Sequence, residues 1–89
     1  MPVNVWLGTL ELGDVFHDEN APFEQRRDEI VKRIKAADWY EPEDDGLSCV
    51  LDDLAASPDV EAFDHSWEEF YYWADAARIW VETIKACSC

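Results

Sequence analysis

The chain predicts an α+β fold, on three observations. Two short runs, Val3-Asn4-Val5-Trp6-Leu7-Gly8-Thr9-Leu10 near the start and Arg78-Ile79-Trp80-Val81-Glu82-Thr83-Ile84 near the end, are rich in β-branched and aromatic residues, the composition of strands. Between them, apolar residues recur at helical spacing in three stretches. Eighty-nine residues, 48% of them hydrophobic, suit a single small domain, 1–89. The expected order is β-α-α-α-β, with the strands meeting in a small antiparallel two-stranded sheet packed by helices. Such a sheet is marginal alone. It needs helices on one face, or a second copy of the chain along its edge.

The first strand extends at most to Leu12, where Gly13 breaks it, and 14–20 is a polar loop. Asn20 is the expected N-cap of the first helix, with Pro22 in its first turn. Phe23, Ile30, Ile34 and Ala37 then fall on one face. This helix holds Arg26, Arg27, Lys32, Arg33 and Lys35, five of the seven basic residues. Glu29–Arg33 and Asp28–Lys32 stand four apart in the favourable order. Glu41-Pro42-Glu43-Asp44-Asp45-Gly46 reads as a turn, and a short helix over 48–56 would point Val50, Leu51 and Leu54 inward. Ser57 followed by Pro58 predicts an N-cap and first helical position. In the helix over 58–75, Val60, Phe63, Trp67, Phe70, Tyr71 and Ala74 cluster on one side. Glu61, Asp64, Glu68 and Asp75 form a stripe about 100° away, joined by Tyr72. A competing capping box at Ser66 and Glu69 would restart the helix near Asp64. Residues 84–89 read as a frayed tail.

The strongest functional clue is electrostatic. Residues 38–77 carry thirteen Asp and Glu and no Lys or Arg, while the rest of the chain nearly cancels within a net charge of −14. Aromatics are interleaved with these acids, so the block reads as a folded negative surface. Such a chain lacks the basic footprint needed to bind nucleic acid directly, and the anionic membrane leaflet would repel it. No apolar run approaches the roughly 20 residues that span a bilayer. The start of the chain lacks the pattern of a signal peptide, and three cysteines, two of them at the end, make no disulfide framework. A cytoplasmic protein with reduced thiols is expected.

No chemistry-bearing motif emerges. Glu41, Glu43, Asp45, Gly46 and Asp52 fall at positions 1, 3, 5, 6 and 12 of a calcium-loop template. The template asks for Asp at the first position and Glu at the last, and has no place for Pro42, so a solvated acidic turn is the expectation. His17 and His65 have acidic neighbours but no third ligand at a diagnostic spacing, and they read as surface histidines. Cys87-Ser88-Cys89 supplies only two ligands, and nothing at Cys49 marks a reactive thiol. The reading is a non-enzyme, with no catalytic residues, no metal site and no cofactor.

The run Gly8-Thr9-Leu10-Glu11-Leu12-Gly13-Asp14-Val15-Phe16-His17, followed by Arg27-Asp28-Glu29-Ile30-Val31-Lys32-Arg33-Ile34 and by Trp39-Tyr40, resembles a family of small acidic proteins of unassigned function encoded by actinobacterial phages and mobile elements. The resemblance implies a setting, a small phage protein that binds and redirects or inhibits a host protein, and no catalytic residues. The expectation is therefore an acidic protein–protein interaction module whose partner is a basic host protein, of the nucleic-acid-binding kind if the acids imitate DNA. Asp44, Asp45, Asp52, Asp53, Glu61, Asp64, Glu68, Glu69 and Asp75 would supply the charge, and Tyr72 and Trp73 the anchors. The alternative is a small assembly module that homodimerises through aromatics and a strand edge, its acids serving solubility.

Overall fold

A computed structural model describes residues 6–83 of the chain. The order is β1 (Gly8–Glu11), α1 (Gly13–Phe16), α2 (Phe23–Lys35), α3 (Asp45–Ala55), α4 (Val60–Ala76) and β2 (Ile79–Glu82). The expected beginning of the first strand at Val3-Asn4-Val5, Ile84 of the second, and the 84–89 tail lie outside the described residues. The α+β composition stands, but the sheet is parallel, with Gly8 opposite Ile79 and Glu11 opposite Glu82. This corrects the antiparallel expectation, and the reason is one of parity. Successive packed elements joined by short connections reverse the chain, and there are four such steps from β1 through α2, α3 and α4 to β2. Four reversals restore the starting direction, so the strands pair in parallel through a long helical crossover.

The expected loop over 14–20 contains the one-turn α1, which buries Val15 beside Leu12. Neither expected serine or asparagine cap is used. Pro22 stands at the N-cap of α2 with no side-chain cap, and the Asn20 amide donates instead to Asp18 Oδ1 at 3.1 Å. Ser57 is buried, its hydroxyl donating to the Asp53 carbonyl at 2.9 Å. The caps are aspartates. Asp44 Oδ1 accepts from the Leu47 amide at 3.0 Å and starts α3 three residues earlier than expected. Asp59 Oδ1 accepts from the Ala62 amide at 2.9 Å and starts α4. Each such cap is worth about 1 kcal/mol. Helix α4 runs unbroken past Ser66, which is buried, so the competing capping box is not formed.

Helix α2 presents Ile30, Val31 and Ile34 to the core, α3 presents Leu47, Leu51 and Leu54, and α4 presents Phe63, Phe70 and Ala74. Val60 and Tyr71, expected inward, sit at the rim of the α4 apolar face and are about half exposed. An aromatic column runs along this face. Phe23 meets Phe63 edge-on at 5.9 Å, and Phe63, Trp67, Phe70 and Trp73 follow at centroid separations of 5.9, 5.1 and 6.1 Å. Trp39 ends the column, 5.9 Å from Trp73 and over Gly8, and its indole N–H donates to the Thr9 carbonyl at 3.2 Å. The column thus ties the longest helix to the sheet.

The basic helix is tied down at two residues, Arg27, which donates to the Ser57 carbonyl at 2.8 Å, and Arg33. Arg33 donates to both oxygens of Asp14, at 2.7 and 2.8 Å, and to Glu29 at 2.9 Å. Asp28 pairs with Arg27 at 3.0 Å rather than with Lys32. The double hydrogen bond from Arg33 holds the Asp14 carboxyl below its ordinary range, and the two carboxylates, Asp14 first, hold the Arg33 guanidinium above its own. A depressed carboxylate stabilises the fold above its unfolded pKa, near 3.9, and loses that contribution as pH falls through the folded value. Asp14 stands largely in water, so its share at neutral pH is at most about 1 kcal/mol. In Asp14→Asn, the stability measured by urea unfolding should therefore fall less steeply than in the parent below about pH 4.

Candidate acidic interface

Helix geometry decides which carboxylates share a surface. At about 100° per residue, Glu61, His65, Glu68, Tyr72 and Asp75 form a stripe on the side of α4 directly opposite Phe63, Phe70 and Ala74. All five are exposed, Tyr72 at 77%. Where α3 ends and α4 begins, Asp53, Asp59, Glu61, Asp64, Glu68 and Glu69 line one shallow open groove, together with His65 and Ser66. Six carboxylates therefore converge, and five of them belong to the sequence-predicted set. The sixth, Asp59, belongs to the acidic block though not to the predicted site set, and it caps α4. His65 had been set aside as a surface histidine, and it stands within the stripe of acids.

The other predicted residues go elsewhere. Asp44 is half-buried and structural, since besides capping α3 its second oxygen accepts from the Trp73 indole N–H at 3.4 Å. Trp73 packs between Phe70 and Trp39 and so belongs to the core edge, whereas Tyr72 stands exposed. Asp45 lies in the first turn of α3, and Asp52 lies in its last turn about 100° round the helix from Asp53. Asp75 continues the stripe beyond the groove. The calcium template fails on geometry. Asp45, Gly46 and Asp52 are all within α3, so its last eight positions are helix and no ligand loop can wrap an ion.

Position along each helix separates acids that support the fold from acids that do not. Carboxylates near an N-terminus complement the helix dipole, by about 0.3–1 kcal/mol each, and carboxylates near a C-terminus oppose it. Asp44, Asp45, Asp59 and Glu61 stand at N-termini and stabilise. Asp52 and Asp53 in the last turn of α3, and Asp75 in the last turn of α4, stand at the wrong ends, with no basic residue in either turn. Glu68 and Glu69, next to each other in the middle of α4, gain nothing from the dipole. Among the described residues, the ion pairs join Arg27 to Asp28 and Arg33 to Asp14 and Glu29, so no carboxylate of the 38–75 block is neutralised. Away from the helix N-termini, the fold tolerates this charge without drawing stability from it.

A different kind of hollow lies between α1, α2 and α4, lined by Val15, Phe16, Phe23, Ile30, Val60 and Phe63, with Arg26, Arg27 and Asp64 also bordering it. At about 110 Å³ it falls below the roughly 300–1,000 Å³ of a usual ligand site. Cys49 is free and exposed on α3, while Cys87 and Cys89 lie outside the described residues. Among the described residues no helix is long and apolar enough to cross a membrane. No family model, curated protein or solved structure matches this chain.

Proposed function

We propose that this chain is a non-enzymatic interaction module that docks its α3–α4 acidic groove onto a basic protein surface, of the kind that nucleic-acid-binding proteins present to phosphates. The observation that carries the reading is the convergence on one groove of six carboxylates that form no ion pair among the described residues, several of them placed where they add nothing to helix stability. Crowded like charge costs a fold stability, and solubility alone does not require it to be gathered on one side. Charge density sharpens the comparison with DNA. Glu61 to Asp75 spans about 21 Å, over which a duplex carries about twelve phosphates and one of its strands about six. Asp53, Asp59, Glu61, Asp64, Glu68, Glu69 and Asp75 together match the charge of one strand. The groove imitates a single phosphate backbone, with Tyr72 adding an exposed aromatic contact beside it. The phage resemblance supplies the setting, a basic host protein met in the host cytoplasm.

The test is capture from an actinobacterial lysate with a salt gradient, followed by affinity measurement on the captured partner. Glu61→Gln, Glu68→Gln and Glu69→Gln combined should weaken binding about tenfold or more and flatten its salt dependence. Tyr72→Ala should weaken it without lowering Tm. Duplex DNA should compete for the same partner. Affinity and salt slope that survive the triple substitution overturn the proposal. Recovery of the bait alone, running as a salt-insensitive dimer, would make the acidic side a solubility device.

A further inference from the structure

Parallel strands are almost always covered on both faces, and among the described residues only one face is. Leu10 and Ile79 point into the core, with Val81 half-buried beside them, whereas Thr9, Glu11 and Trp80 point out. Leu7 extends the outer row, its amide donating to the Arg78 carbonyl at 2.7 Å, and is 72% exposed. Trp6 lies edge-on to Trp80 at 5.2 Å, and the two are 40% and 45% exposed. At the other end of the same face, Glu11 and Glu82 are register partners. Like charges directly across a ladder destabilise it, and the cations described in ion pairs, Arg27 and Arg33, are engaged with other acids.

We propose that this outer sheet face is a second docking surface and that it takes a basic amphipathic helix from a partner protein. Helices are what cover parallel sheets. The apolar Trp6, Leu7 and Trp80 call for an apolar stripe, and the Glu11–Glu82 pair calls for a Lys or Arg at one end of it. Charge selects against a second copy of this chain, which carries a net charge of −14 and would bring its own Glu11 and Glu82 to the same face. The strand rows are about 13 Å long, which a helix of some nine residues covers. Helix α4 packs beneath β2 and carries the acidic groove on its far side, so the two surfaces face away from each other. The protein could then hold two partners at once, and either surface can fail without the other.

The test uses the full chain, isotope-labelled, titrated with a synthetic helical peptide of about 14 residues that carries Leu at i, i+3, i+4 and i+7 and Lys in its last turn. Amide shifts should concentrate at residues 7–11 and 79–82. Leu7→Ser, at an exposed position the fold does not need, should weaken binding about tenfold, as should Trp80→Ser. Glu11→Gln with Glu82→Gln, or a peptide with its Lys changed to Glu, should weaken it several-fold. The triple Gln variant of the groove should leave this binding within about twofold. Three results overturn the proposal. Shifts confined to 59–69 and lost in the triple Gln variant would place the peptide on the groove. Binding unchanged in both Leu7→Ser and Trp80→Ser would acquit the sheet face. Sedimentation of the protein alone as a dimer that Leu7→Ser dissociates would show a second copy in the partner's place.

Discussion

Phe70→Ala should cost this protein a large share of its stability. Phe70 has no exposed surface and sits in the aromatic column, 5.1 Å from the Trp67 ring and 6.1 Å from that of Trp73. Removing a buried phenyl ring costs the lost transfer energy plus that of the cavity it leaves, together about 3–5 kcal/mol. The neighbours cannot close over the space, because Phe63 and Ala74 on the same helix already face the core and Leu51 and Leu54 are buried opposite. A chain of this length has about 4–13 kcal/mol to lose. The urea midpoint should fall by at least about a quarter of the parent value. A loss below about 1 kcal/mol would mean that the column contributes little. Phe70→Leu, which keeps most of the volume, should cost about 1 kcal/mol.

Gly8→Ala should be the most damaging single methyl group that can be added. The new Cβ would fall inside the Trp39 indole, within van der Waals overlap of Cδ1 and about 3.0 Å from Cγ and Nε1. The ring has little room to retreat, since Trp73 lies on one side and the Thr9 carbonyl holds its N–H. Overpacking of this kind costs about 1–3 kcal/mol, and displacing the indole would forfeit the Thr9 hydrogen bond for about 1 kcal/mol more. The conclusive measurement is a double-mutant cycle. Against Trp39→Leu, which vacates the space, Gly8→Ala should cost much less, leaving a coupling energy above about 1 kcal/mol. Additive effects would show that Gly8 is required for some reason other than the ring.

What the sequence disclosed follows from which signals are local. The three long helices were legible because Ile30 and Ile34, Leu51 and Leu54, and Phe63, Phe70 and Ala74 repeat at helical spacing. The second strand was legible because Ile79, Trp80 and Val81 crowd into a short run, whereas β1 begins only at Gly8, past the Trp6 and Leu7 expected within it. The caps were misassigned because Ser57 and Asn20 are as good in principle as Asp59 and Asp44, and tertiary packing decided between them: the Ser57 hydroxyl turns back to the Asp53 carbonyl. The strand direction was legible in hindsight, since counting reversals through three helices gives the parallel answer. For the site, the α4 stripe could be read from one helix, but the contribution of Asp53 could not. Its meeting with Glu61 and Glu69 depends on how α3 docks against α4. The structural roles of Asp44 and Trp73 were hidden for the same reason, because they contact each other across 29 positions of sequence.

The parallel pairing also sets an order of events in time. Gly8 and Ile79 are 71 positions apart, and closing a loop of that length costs on the order of 4 kcal/mol before any strand hydrogen bond forms. The α2–α3 and α3–α4 contacts join neighbours in the chain and close first, so the sheet assembles last, on a helical layer already in place. Changes confined to the strands should then accelerate unfolding while leaving the refolding rate nearly untouched, and changes at Leu51 or Phe70 should slow refolding. The last event in folding is the first reversed, so the C-terminal strand is the latch by which this protein opens.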